Sequence, residues 1–73
     1  MPPNITGPQL LSKMKRVGFV VIRQRGSHVF VQHATDSSRC AVIPLHGNSS
    51  IPIGTLKSIL QSTNLTLDDL KKM

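Results

Sequence analysis

Gln24-Arg25-Gly26-Ser27-His28-Val29-Phe30-Val31-Gln32 is the stretch whose reading decides the fold. It reads as a tight turn at Arg25-Gly26 that feeds a β-strand from about Ser27 to His33, because Gly26 supplies turn geometry and the residues after it alternate. Period two places His28, Phe30 and Gln32 on one face and Ser27, Val29, Val31 and His33 on the other. A histidine held by a strand, with Arg23, Arg25 and a hydroxyl beside it, has the parts needed to act on a phosphodiester. The same residues also fit an ordinary polar strand end.

Upstream, Phe19-Val20-Val21-Ile22-Arg23-Gln24 is β-branched and aromatic and reads as the first strand, apolar on both faces before it turns polar. Before it, Thr6-Gly7-Pro8-Gln9 has capping-box spacing with Pro8 in the first turn. Leu10, Leu11, Met14 and Val17 recur at helical spacing, and Gly18 is placed to end that helix in the left-handed conformation. Downstream, Ala34 to Ser38 is a turn by composition, and Arg39 to Ile43 is a third strand closed by Pro44. A polar loop, Leu45 to Ser50, leads to a helix capped by Ser50 or a neighbour, with Ile53, Leu56, Ile59 and Leu60 as its apolar stripe. Gly54 in its first turn suggests a close approach to the sheet or to a ligand. Asn64 stops this helix, and Thr66-Leu67-Asp68-Asp69-Leu70 starts a short terminal one.

The resulting order, α-β-β-β-α-α, is an α+β domain: a small three-stranded antiparallel sheet with helices on one face. Residues 1–73 form one domain, with about 1–5 disordered and 6–72 folded. The apolar residues on both faces of the first two strands call either for a partner on the open face or for cover by strand ends and the terminal helix.

Nine Lys and Arg against three Asp and Glu give a formal charge of +6, carried by the body of the domain, which points to an acidic partner and first to nucleic acid. A chain of 73 residues has no room for a deep pocket, so any chemistry takes place on an open surface that suits a polymer. The lone Cys40 excludes an internal disulfide and fits a reducing compartment. No run is long and apolar enough to span a bilayer, and the first residues lack the pattern of a signal peptide, so a cytoplasmic protein with no membrane partner is expected. His28, His33, His46 and Cys40 match no common zinc spacing, and the only carboxylates are Asp36 in a turn and Asp68 and Asp69 at the far end; no metal and no cofactor is expected.

Helix, Gly18-Phe19, Arg23-x-x-Gly26-Ser27-His28, Pro44-x-His46 and Gly54-Thr55-Leu56-x-x-Ile59-Leu60, in that order, resemble the HicA toxins of bacterial toxin–antitoxin systems over about Gln9 to Leu70. Ile51-Pro52-Ile53 departs from the polar residues more usual before the glycine. The resemblance implies a fold like that of double-stranded-RNA-binding domains and a ribosome-independent endoribonuclease that cleaves mRNA. It places the catalytic histidine at His28. It also implies a cognate HicB-like antitoxin that covers the active surface, with any oligomer formed through that antitoxin.

Within that frame His28 serves as general base or acid in a metal-independent transesterification. Arg23, Arg25 and Lys57 are candidates to hold the phosphate, and Ser27 either bonds phosphate or satisfies its own turn. His46 is the candidate second proton-transfer group, against a reading as a loop histidine bonded to backbone. His33 has the wrong parity to share a site with His28 and receives no role. Cys40 reads as a small strand hydrophobe. The alternative from another class is a non-catalytic RNA-binding module of the same fold. Against it stands the absence of Trp and Tyr for base stacking.

Overall fold

Local signals start and stop the first helix as the sequence leads one to expect. The structure, a computed structural model that describes residues 4–73, has α1 over Gly7–Arg16. The Thr6 side chain accepts from the Gln9 amide, and the Gln9 side chain accepts from the Thr6 amide at 3.0 Å, so both free amides are satisfied. Gly18 follows at φ +100°, a conformation glycine adopts without strain. Val17, expected on the buried stripe, instead caps the helix and is exposed, so Leu10 and Met14 carry the contact with the core.

The strands are β1 Phe19–Arg25, β2 His28–His33 and β3 Cys40–Pro44, paired antiparallel in the order β1-β2-β3. Reversal between β1 and β2 uses Gly26-Ser27, one residue later than expected. Only Gly26 has positive φ, the arrangement of a II′ hairpin turn. Facing pairs Val29–Ile43 and Val31–Ala41 are buried under the helices. With Leu10, Met14, Phe19 and the stripe Leu56, Ile59 and Leu60 of α2 (Ile53–Ser62), they make one core. Short α3 (Leu67–Lys72) adds Leu70 and is capped by Thr66 and Asp69 in a second capping box. The Thr66 amide and hydroxyl bonds hold the Asp69 carboxyl below the usual carboxylate range.

Several expectations are corrected by tertiary packing. Disorder through residue 5 does not hold for Ile5, which is 5% exposed in the core and whose carbonyl accepts from the Ile51 amide at 2.8 Å; Met1, Pro2 and Pro3 lie outside the described residues. Ser50 does not cap α2. It bridges to Thr6, Ile51 is drawn into the core, and the helix begins after Pro52 with no side-chain cap. Ile53 is thereby left exposed. Gly54 makes no close approach to the sheet, since a Cβ there would meet open space. Arg39 precedes β3 rather than opening it, and its side chain turns inward: Nε donates to the Thr63 carbonyl at 2.7 Å and the guanidinium lies 5.3 Å from the centre of the Phe19 ring.

One glycine is needed for space. A Cβ on Gly7 would fall on the carbonyl oxygen of Pro44 and crowd Leu45, so only glycine lets the start of α1 close against the end of β3. Gly7→Ala is expected to destabilise the fold by about 1–3 kcal/mol through overpacking. Urea denaturation reads this as a lower midpoint at unchanged slope. A midpoint equal to that of wild type would show that α1 does not press on Pro44.

Candidate active site

Strand parity decides which side chains the site can contain. Because β2 commits Val29 and Val31 to the core, His28, Phe30 and Gln32 point to the sheet face away from the helices. Facing partners share a face, which gives three rows across that outer surface: Val20–Gln32–Cys40, Arg23–Phe30–Val42 and Arg25–His28–Pro44. The Arg23 guanidinium lies 5.5 Å from the centre of the Phe30 ring. Of the two phenylalanines, then, only Phe19 belongs to the core.

Arg23 and Arg25 reach this face through a bulge. Counted from buried Phe19, unbroken alternation would turn both arginines toward the helices. The register shifts between Val21 and Arg23, so the one extra residue reverses the parity of everything after it. Arg25 then faces His28 directly, and the Gln24 side-chain amide donates to the Gly26 carbonyl at 3.0 Å to support the turn between them.

The chain leaving β3 is tied to the same turn. The Leu45 amide donates to the Ser27 carbonyl at 2.6 Å, extending the β2–β3 ladder one bond past Pro44. The loop then folds on itself, with the Ser49 amide donating to the His46 carbonyl at 3.1 Å. This brings His46 beside His28: their ring centres are 6.0 Å apart, with planes at 90°. Both residues are exposed, and neither ring makes a hydrogen bond to another side chain or to backbone among the described residues. His46 is therefore not the loop histidine bonded through its ring to backbone.

His33 is built differently. Its ring stands edge-on to Phe19 at 5.1 Å, lies over Gly18, and its Nδ1 accepts from the Thr35 amide at 3.2 Å. It sits at the far end of β2 from His28 and faces buried Phe19, on the helix side of the sheet rather than on the face that carries His28. Ser27 is half-buried, and its carbonyl serves the Leu45 bond. Lys57 is exposed on α2 and has no hydrogen bond to the sheet. Cys40 is half-buried and unpaired at the far end of the outer face.

Charge separates along the sheet. Asp36 lies in the β2–β3 turn, about 20 Å along β2 from His28, and the Ser38 hydroxyl and amide hold its carboxyl below the usual range. Asp69 lies near Arg39 and Lys72, at that same far end. The end that carries Arg25, His28 and His46 has no carboxylate. Concave surface lies elsewhere, as in a groove of about 480 Å³ between α1 and α3 lined by Lys13, Arg16 and Lys71. The histidine pair stands on open surface, where an extended polymer has access.

The three histidines should separate on melting. His33→Ala is expected to cost about 1–2 kcal/mol, for the lost edge contact and amide bond. His28→Ala and His46→Ala should stay within about 0.5 kcal/mol of wild type, as exposed substitutions do. Thermal melts of the three variants check this, and an unfolding loss at His28 equal to that at His33 would contradict the geometry.

No curated protein sequence matches the chain. A family model for the HicA toxin of bacterial toxin–antitoxin systems matches residues 7–65, from the first residue of α1 through all three strands and just past α2. The match spans well over half of the 73 residues. The chain that carries this paired-histidine sheet end belongs to the HicA toxin family.

Proposed function

We propose that this toxin is a ribosome-independent endoribonuclease that cleaves mRNA in the cytoplasm, with His28 in proton transfer, and that a HicB-like antitoxin neutralises it by covering the outer sheet face. The observation that carries the reading is the Arg25–His28 pair: a free imidazole and a guanidinium face each other on an open, carboxylate-free surface. An imidazole gains and loses a proton near neutral pH, so it can act as base or acid at either end of the reaction.

Cleavage proceeds by transesterification. The ribose 2′-oxygen gives up its proton and forms a bond to the adjacent phosphorus while the bond to the 5′-oxygen breaks and that oxygen takes a proton, leaving a 2′,3′-cyclic phosphate. Arg25, and Arg23 two residues along the same face, neutralise the charge that gathers on the phosphoryl oxygens in the transition state. Lys57 on α2 and the Ser27 hydroxyl contribute to holding the strand. No step requires a metal ion.

The non-catalytic reading is weakened by the position of Phe30. Arg23 occupies one side of its ring, so the one phenylalanine on the outer face is not a fully free platform for stacking bases.

Purified protein in excess chelator is expected to cut single-stranded RNA and leave cyclic phosphate ends, and His28→Ala should be slower by at least about 10²-fold. Equal rates for the two proteins would defeat the proposal, and RNA binding without cleavage by wild type would favour the binding module. Arg25→Ala and Lys57→Ala should each weaken RNA binding and reduce its salt slope by about 0.7 per lost phosphate contact. Binding that does not change with salt would remove the electrostatic part of the argument.

A further inference from the structure

We infer that His46 is the second proton-transfer residue, so that cleavage runs on a pair of histidines that divide the base and acid roles. This rests on the reading of His28 as a ribonuclease residue and goes beyond it by naming the group that completes the reaction.

Transesterification moves two protons at two different oxygens, and one imidazole cannot serve both ends of the reacting phosphate at once. Among the described residues His46 is the titratable side chain whose position relative to His28 suits the other end. Ring centres 6.0 Å apart set the two imidazoles side by side, near enough for both to reach oxygens of one phosphodiester lying across the pair. The perpendicular planes keep the rings from stacking face to face, and no ring nitrogen of either is taken up by a hydrogen bond among the described residues.

The spacing is enforced by backbone. Pro44 is the facing partner of His28, the Leu45 amide is locked to the Ser27 carbonyl, and Gly7 allows α1 to close against Pro44 and Leu45 from behind. His46 is the next residue, and its own carbonyl anchors the following turn through Ser49. None of these bonds uses the imidazole. An imidazole whose backbone is held by its neighbours and whose ring is free of structural bonds is available for chemistry.

The step balances without another reagent. One ring, neutral, takes the proton from the 2′-hydroxyl as the oxygen–phosphorus bond forms. The other ring, protonated, gives its proton to the 5′-oxygen as that bond breaks. The two rings end with their protonation exchanged, and water returns the proton before the next turnover.

The test compares wild type, His28→Ala and His46→Ala on two single-stranded RNA substrates of the same sequence, one normal and one with sulfur in place of the bridging 5′-oxygen at a single linkage. A thiolate leaves without being protonated, so loss of the acid is rescued on the sulfur substrate and loss of the base is not. On normal RNA both variants should be slowed by about 10²–10⁴-fold. On the sulfur substrate one of the two should return to within about tenfold of wild type while the other stays slow.

His46→Ala within about threefold of wild type on normal RNA would overturn the inference, as would rescue of both variants or of neither. Active His28→Ala, or inactive wild type, would instead sink the ribonuclease reading on which it depends. Melting temperatures equal to that of wild type keep a slow His46→Ala from being read as misfolding, and His46→Gln, which keeps a hydrogen-bonding side chain but cannot transfer protons at neutral pH, should be as slow as His46→Ala.

Discussion

A β-strand shows each residue to one face only, and the site depends on how β2 uses that rule. Val29 and Val31 are committed to the core by the helices packed over them, so His28 has no choice but the opposite face. The same rule applied to β1 would have carried Arg23 and Arg25 away from His28. One bulged residue between Val21 and Arg23 reverses it. Burial of a few apolar side chains and a single break in register together decide which charges share a surface with the imidazole.

The sheet has two ends built for different purposes. At the far end Arg39 is spent on structure, bonded to the end of α2 at Thr63 and laid over Phe19, while His33 is fixed against the same ring and Asp36 closes the turn. Charge there is paired and held. At the other end Arg25, His28 and His46 have no carboxylate near them and no side-chain hydrogen bonds among the described residues. That contrast separates residues that hold the fold from residues left free to meet a ligand, in a chain too small to separate them by depth of burial.

What could be read in the sequence is what local chemistry decides. Thr6 with Gln9, Thr66 with Asp69, Gly18 and Asn64 mark helix ends by bonds and backbone angles within a few residues, and the strand alternation of Val29 and Val31 is equally local. Features that depend on distant chain were not visible. The bulge at Ile22 exists only relative to β2, the need for glycine at position 7 arises from Pro44, and the inward turn of Arg39 answers a carbonyl at Thr63. The approach of His46 to His28 was the one long-range feature with a usable signal. A turn centred on Asp36 pairs residues equidistant from it, which sets Pro44 opposite His28 and leaves His46 two residues beyond.

A candidate site flush with the surface has consequences for control. A buried site is regulated by a lid or a shift of domains, whereas His28 and His46 stand exposed on the surface of a small single core. The rings are exposed, and a toxin–antitoxin family implies an antitoxin partner in general, so a separate protein that covers them is the form of control we propose. The chemistry of the outer face is compatible with both of the proposed occupants, RNA and a protein. Val20 and Val42 are 44% and 48% exposed beside Arg23, so the face offers apolar area to a protein and positive charge to a polyanion, with no acidic side chain to repel either. The same parity that exposes His28 thus also exposes the apolar and basic surface that, on the proposed reading, an antitoxin covers.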